Sequence, residues 1–248
     1  MNPVVLKAMT PAQEESWKVL PEFYVELPAG WCLIGGQMVW LLALERGVEP
    51  IRVTEDVDVV VDIRVDQGAI TRLCAWLESR GFELEGINTD GVGHRYVSST
   101  YEGPGKVMFD VLAPDKLGER ADLTTSPPAR TVSAPGTRAA LDDIQPVEIV
   151  LREQHGRVLR PSLLAAILVK AAATRIPGRE NRERDWVDIG FLLSLVADPV
   201  GAAADLSKGQ RRGLRAISEL LDENHWVWRQ LGDRSLLGRA ALQFLMDV

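Results

Sequence analysis

Two aspartates, Asp56 and Asp58, interrupt the otherwise apolar run "RVTEDVDVVVDI". Residues two apart on a strand point the same way, so both carboxylates belong to one face. Side by side at neutral pH they repel, and each is costly to desolvate unless a cation lies between or beside them. A third acid, Asp110, stands among apolar neighbours in "KVMFDVLAP". Hard divalent ions such as Mg²⁺ take oxygen ligands and bridge carboxylates to phosphates. Three acids converging from two adjacent strands therefore describe a two-metal phosphoryl-transfer centre. One ion would activate an attacking hydroxyl and the other would steady a leaving pyrophosphate. Gly35 and Gly36, in "WCLIGGQMVW", separate a short apolar strand from a helical pattern. Their unhindered backbone N–H groups can approach a triphosphate at the helix start.

The elements that must position these groups follow from periodicity. Residues 11–26 read as a helix with Thr10 as cap and Pro11 at its first position. A buried strand ends at the glycine pair, and a helix over 37–47 closes at Gly47. The acid-bearing run over 52–63 is β-branched and apolar, as a central strand is. A second helix-then-glycine pattern covers 66–81. Short strands follow in "HRYVSS", which carries Arg95, then in "KVMFDVLAP", "PVEIVLRE" and "GRVLRPS". Between the middle two, "TTSPPARTVSAPGTRAALDD" reads as a loop, either a surface connection or a substrate-facing lid. After Pro161 the pattern is helical, over 162–176, 185–198, 207–224 and 235–247. The expected class is α+β: a mixed sheet with flanking helices over 1–160, then a helical C-terminal domain over 161–248.

Within the helical part, Asp185 and Asp188 are i, i+3 neighbours on one face, beside the apolar stripe of Ile189 and Leu192. Acids at a buried seam need a partner, and Lys170 on the preceding helix is the candidate. Two readings stay open. Lys170 either forms an inter-helix salt bridge with no part in chemistry, or points into the acid cleft and steadies phosphates.

The G-G turn, helix and "RVTEDVDVVVD" run resemble the DNA polymerase β-type nucleotidyltransferase superfamily, whose pattern is a G-G or G-S turn followed by D-x-D. "LLAAILVKAAATR" and "RERDWVDIGFLL" resemble the K-x-x-A…R-x-[KR]-D-x-x-D-[LI] signature of the AbiEii/MenT toxin nucleotidyltransferases. The resemblance spans roughly residues 30–197 and implies a polymerase β-like fold. It implies Asp56, Asp58 and Asp110 as metal ligands, with Asp110 activating the acceptor hydroxyl. Gly35 and Gly36 would hold phosphates, helped by Arg52 and Thr54, and Lys170 would neutralise the triphosphate. Asp185, with Asp188, would complete the motif in the second domain. This chain departs from the pattern in a longer run from Gly36 to Asp56, and in Gln37 where many relatives carry Ser or Thr.

What the resemblance implies about activity is transfer of a nucleoside monophosphate from an NTP to RNA, at the tRNA 3′ end, by a toxin with a cognate antitoxin. Composition limits the alternatives. The net charge of −7 gives no support to a generic nucleic-acid binder. The basic residues Arg152, Arg157, Arg160, Lys170, Arg175, Arg179, Arg182 and Arg184, opposed by Glu153, Glu180 and Glu183, still form a basic stretch. It reads either as an RNA-facing patch or as a solvated face. A small-molecule nucleotidyltransferase would share G-G and D-x-D without needing such a patch. A non-catalytic nucleotide-binding module would not need the intact acids. No membrane-spanning run and no secretory signal is visible, and Cys32 and Cys74 read as buried thiols of a cytoplasmic protein. His94, His155 and His225 show no metal-ligand spacing, and Trp226 and Trp228 in "HWVW" read as core or interface residues.

Overall fold

The computed structural model describes residues 3–7, 9–178 and 182–246, so Arg179 and Glu180 lie outside the described residues. Strand β1 (Val4–Leu6) leads into helix α1 (Pro11–Glu26). Thr10 caps that helix, its side chain accepting from the Gln13 amide at 3.1 Å, and Pro11 supplies the preset first turn. The next elements are β2 (Trp31–Ile34), α2 (Gly35–Glu45), β3 (Asp56–Val61), α3 (Ala69–Ser79), β4 (Phe82–Leu84), β5 (Arg95–Ser98) and β6 (Met108–Pro114). They form a mixed sheet in the order β2-β3-β6-β5-β4. Strand β3 runs antiparallel to β2 and parallel to β6. Val57, Val59, Val60 and Val61 are all buried, as a strand covered on both faces requires.

The class is α+β as expected, but the strands divide between two sheets. The hairpin of β8 (Ile144–Leu151) and β9 (Gln154–Pro161) does not join the acid-bearing sheet; β8 pairs in parallel with β1 to give a separate order, β1-β8-β9. The proline-rich stretch over 124–143 is also not all loop. It holds β7 (Ser133–Ala134), paired with β6, and the short helix α4 (Thr137–Leu141).

From Leu163 onward the chain is helical: α5 (Leu163–Ala173), α6 (Arg182–Ser194), α7 (Pro199–Ala204), α8 (Lys208–Leu214), a 3₁₀ segment (Arg215–Leu221), α9 (Trp226–Leu231) and α10 (Ser235–Met246). Ser162 caps α5 through a 3.2 Å bond from the Ala165 amide. Helices α6, α9 and α10 approach closely at Gly190, where a Cβ would stand 2.6 Å from Val227 Cγ1. One apolar cluster runs through both halves, from Leu33 and Val59 to Ile167, Leu193 and Leu242. Among the described residues no helix is long and apolar enough to cross a membrane. Cys32 and Cys74 are buried and free.

Gln37 shows why this chain does not carry Ser or Thr there. Fully buried, it donates to the Thr54 carbonyl at 2.6 Å and accepts from Gln13 Nε2 at 3.1 Å and Trp17 Nε1 at 2.9 Å. A shorter side chain would not span from α2 to both α1 and the segment feeding β3. Gln37→Leu strands the Thr54 carbonyl and the Trp17 indole N–H without these partners. It is expected to lower folding stability by roughly 2–4 kcal/mol, measured by denaturant unfolding against wild type.

Candidate active site

The acids lie where β3 begins and borders a cleft, so they are half-buried in place of being sealed in the sheet. Asp56 and Asp58 occupy alternate, half-exposed positions of β3, and Asp58 is in register with Asp110 on the parallel neighbour β6. The antiparallel pairing of β2 sets Ile34 opposite Asp58, so α2 starts directly against that carboxylate. Gly35 is required at this contact: its φ is +69°, and a Cβ would stand 1.8 Å from Asp58 Oδ2. At Gly36 a Cβ would meet Thr54 Cγ2 at 2.7 Å. No side chain caps α2, and Gly35 and Gly36 at its start line a cleft, so the positive end of its dipole lies at that cleft. The Thr54 hydroxyl donates to Asp56 Oδ1.

Asp110 is held differently. Arg95, in register with it on β5, donates from Nε and Nη2 to its two oxygens at 2.7 Å each. Those bonds push the Arg95 pKa further above its ordinary value.

The helical half supplies the opposite wall. Lys170, only 4% exposed, reaches Asp185 Oδ1 at 3.1 Å and Asp188 Oδ2 at 2.8 Å. Asp188, with no exposed surface, also accepts from Arg52 Nε at 3.1 Å and Nη2 at 2.9 Å. Burial alone would raise the Asp188 pKa, but the Lys170 charge and the Arg52 bonds outweigh it and hold the carboxyl below its ordinary value. Burial would likewise lower the Lys170 pKa, and the two carboxylates reverse this.

A cleft of about 430 Å³ brings these groups together. Its lining includes Gly35, Gly36, Arg52, Thr54, Asp56, Asp58, Asp110, Lys170 and Asp185, all of them singled out in the sequence. Asp188 is not on the lining; it lies behind the wall and fixes Arg52 and Lys170. Arg95 and Arg184 also face the cleft, as do His94 and the 132–135 segment of the proline-rich stretch. Among its described residues the basic stretch is divided. Arg152 pairs with Glu14, Arg157 with Glu148, and Arg160 is buried against Glu45. Of that stretch, Lys170 and Arg184 reach the cleft.

In kind, the strand acids fit a hard divalent cation, being all oxygen donors from adjacent strands. In arrangement the set is incomplete, because Arg95 occupies both oxygens of Asp110. Among the described residues no three His, Cys, Asp or Glu side chains stand grouped as a metal site.

No family model and no curated protein matches the chain. Among solved structures, the fold is similar to an antigenic nucleotidyltransferase-like protein from Paracoccidioides brasiliensis. The two share 18% identity at a TM-score of 0.51, over 85% of this chain and 89% of that one. At that identity the likeness establishes a nucleotidyltransferase-like fold.

The Lys170–Asp188 pair makes stability depend on pH at both ends. Asp188 has a folded pKa below the ordinary 3.8, so its contribution is complete above that value and lost as pH falls through the folded pKa. Lys170 has a folded pKa above the ordinary 10.5, so its contribution is complete below that value and lost as pH rises through the folded one. Lys170→Met keeps the stem and removes the ammonium both carboxylates share. Melts across pH are expected to show a loss of about 3–5 kcal/mol on the plateau and disappearance of the alkaline limb that Lys170 contributes.

Proposed function

We propose that the chain is a metal-dependent nucleotidyltransferase that moves a nucleoside monophosphate from an NTP to an RNA acceptor and releases pyrophosphate. The observation that carries this reading is the register of Asp58 with Asp110 directly beneath the glycine start of α2. Carboxylates and open helix amides then face one cleft, oxygen donors for a cation beside N–H donors for phosphate. Asp56 and Asp58 would hold Mg²⁺, and a contribution from Asp110 would require its Arg95 pair to open. The ion would supply charge neutralisation at the phosphates and a more acidic acceptor hydroxyl.

The chain's own groups take the remaining roles. The α2 amides at Gly35 and Gly36 bind phosphate oxygens. Asp110 accepts the proton of the acceptor hydroxyl as that oxygen bonds to the α-phosphorus and the bond to the bridging oxygen breaks. Arg95 holds Asp110 in place on the cleft wall through its two bonds. Lys170 acts through the cluster with Asp185, Asp188 and Arg52, which fixes the wall opposite the strand acids. The resemblance of the stretches around Lys170, Asp185 and Asp188 to the AbiEii/MenT toxin signature supports the finer reading: tRNA 3′ ends as acceptor, action as a toxin, and an antitoxin as partner. A second reading, transfer to a small polycationic molecule, is favoured by the pairing of Arg152, Arg157 and Arg160 with Glu14, Glu148 and Glu45. That pairing shrinks the basic surface available to RNA.

Asp56→Asn and Asp58→Asn remove a charged ligand and almost no volume. Each is expected to lower pyrophosphate release by about a hundredfold or more with melting temperature preserved. Near-normal release from either folded variant would refute the site. Arg184→Ala separates the two acceptor readings. With RNA as acceptor it weakens RNA binding and lowers the salt slope of affinity by about one; an unchanged slope favours the small molecule.

A further inference from the structure

Two tryptophans stand two residues apart on α9, about 200° around the helix axis from one another, so they cannot both face the core. Trp228 takes the core, 3% exposed, with its indole N–H on the Leu220 carbonyl at 3.0 Å. Trp226 is only partly buried and lines a second cavity, of about 310 Å³, between α6, α9 and the segment before β3. Ile51, Val187 and Leu231 supply apolar surface there, Glu183 adds a carboxylate, and Gln230 lies exposed at its edge. Arg52 and Arg184 belong to the lining of this cavity and of the acid cleft alike.

We propose that this second cavity is a nucleobase pocket, with Trp226 as its stacking surface and Gln230 as the group that reads the base edge. The inference rests on the nucleotidyl-transfer reading and extends it to residues outside any motif. Its volume is at the low end for a ligand site, which suits one heterocycle and not a whole nucleotide. An aromatic wall with aliphatic neighbours matches a base's π-face. An amide carrying both donors and an acceptor complements the edge of a base. The partition toward the acid cleft presents two guanidiniums, Arg52 and Arg184, and phosphate is what a base carries with it in that direction. Both boundaries are fixed: Arg52 is pinned by its two bonds to Asp188. Trp226 is braced by His225, whose ring lies 5.6 Å from it and 5.7 Å from Trp186. A ring already immobilised loses little freedom when a base stacks on it.

The base could arrive on the NTP or at the end of the acceptor strand, and binding measurements distinguish these. Calorimetric titrations in Mg²⁺ would use inorganic tripolyphosphate, each NTP and a short single-stranded RNA. They would be run on wild type, Trp226→Ala, Trp226→Phe and Gln230→Ala. The expected result is unchanged tripolyphosphate affinity with about a tenfold loss for a base-bearing ligand in Trp226→Ala, largely restored by phenylalanine. Loss confined to the NTPs assigns the pocket to the donor's base, and loss confined to RNA assigns it to the acceptor's. Should Trp226→Ala not fold, Gln230→Ala, at an exposed position, is expected to compress the differences among bases. If Trp226→Phe and Gln230→Ala, together with any folded Trp226→Ala, bind NTPs and RNA as wild type does, the pocket is refuted. A wild-type protein that binds neither tripolyphosphate nor any NTP overturns the transfer reading instead, a separate outcome.

Discussion

Asp188, shut away from water between Lys170 and Arg52, is the ion pair on which the geometry of the cleft depends. Its two cations come from different parts of the chain: α5 and the segment that feeds β3. A buried carboxylate tolerates no casual rearrangement, since losing either partner leaves charge in a medium that cannot solvate it. The pairing therefore specifies position more than it adds net stability. It sets α5 and α6 against the start of the strand that carries Asp56 and Asp58. Arg52, held from behind, becomes the fixed divider between the acid cleft and the Trp226 cavity. Two cations and two carboxylates cancel in the Arg52–Asp188–Lys170–Asp185 cluster, so the wall is rigid without carrying a net charge of its own.

On the other side of the cleft, the constraint is steric. Asp58 lies so close to the first residue of α2 that no side chain fits at Gly35. That contact brings a carboxylate against the positive end of an α2 that no side chain caps, a favourable placement for a negative charge. Two of the acids that look misplaced in apolar strands are held by named partners, a hydroxyl at Asp56 and a guanidinium at Asp110, while Asp58 lies against the positive end of α2. The Arg95–Asp110 pair is the one that a divalent ion would have to rearrange, which makes Arg95 the residue to watch when the cleft is loaded.

Much of this was legible in the sequence, for local reasons. Alternation alone places Asp56 and Asp58 on one face, the glycine pair marks the strand-to-helix turn, and the i, i+3 spacing puts Asp185 and Asp188 on the seam facing Lys170. What was not legible is non-local. The register of Asp58 with Asp110 depends on a parallel pairing across a long connection, and the β1–β8 pairing joins the chain's first strand to its eighth. Periodicity carries no information about either. The basic stretch could be read only as two open alternatives because adjacency in sequence is not adjacency in space: the β8–β9 hairpin carries Arg152 toward α1 and turns Arg160 inward onto Glu45. The elements β7 and α4 are too short to show a period among prolines. The two tryptophans of α9 look alike in sequence, and only packing assigns one to the core and the other to a cavity.

The central claim is that strand acids, helix amides and the Asp188-fixed wall together transfer a nucleotidyl group to RNA. The most direct measurement is incubation of the purified protein with Mg²⁺, total RNA and each α-phosphate-labelled NTP in turn, resolved on a denaturing gel. Transfer predicts label covalently joined to RNA with at least one nucleotide, and none when Mg²⁺ is chelated. Label that stays in free nucleotide with all four, in a protein shown to be folded, would contradict it.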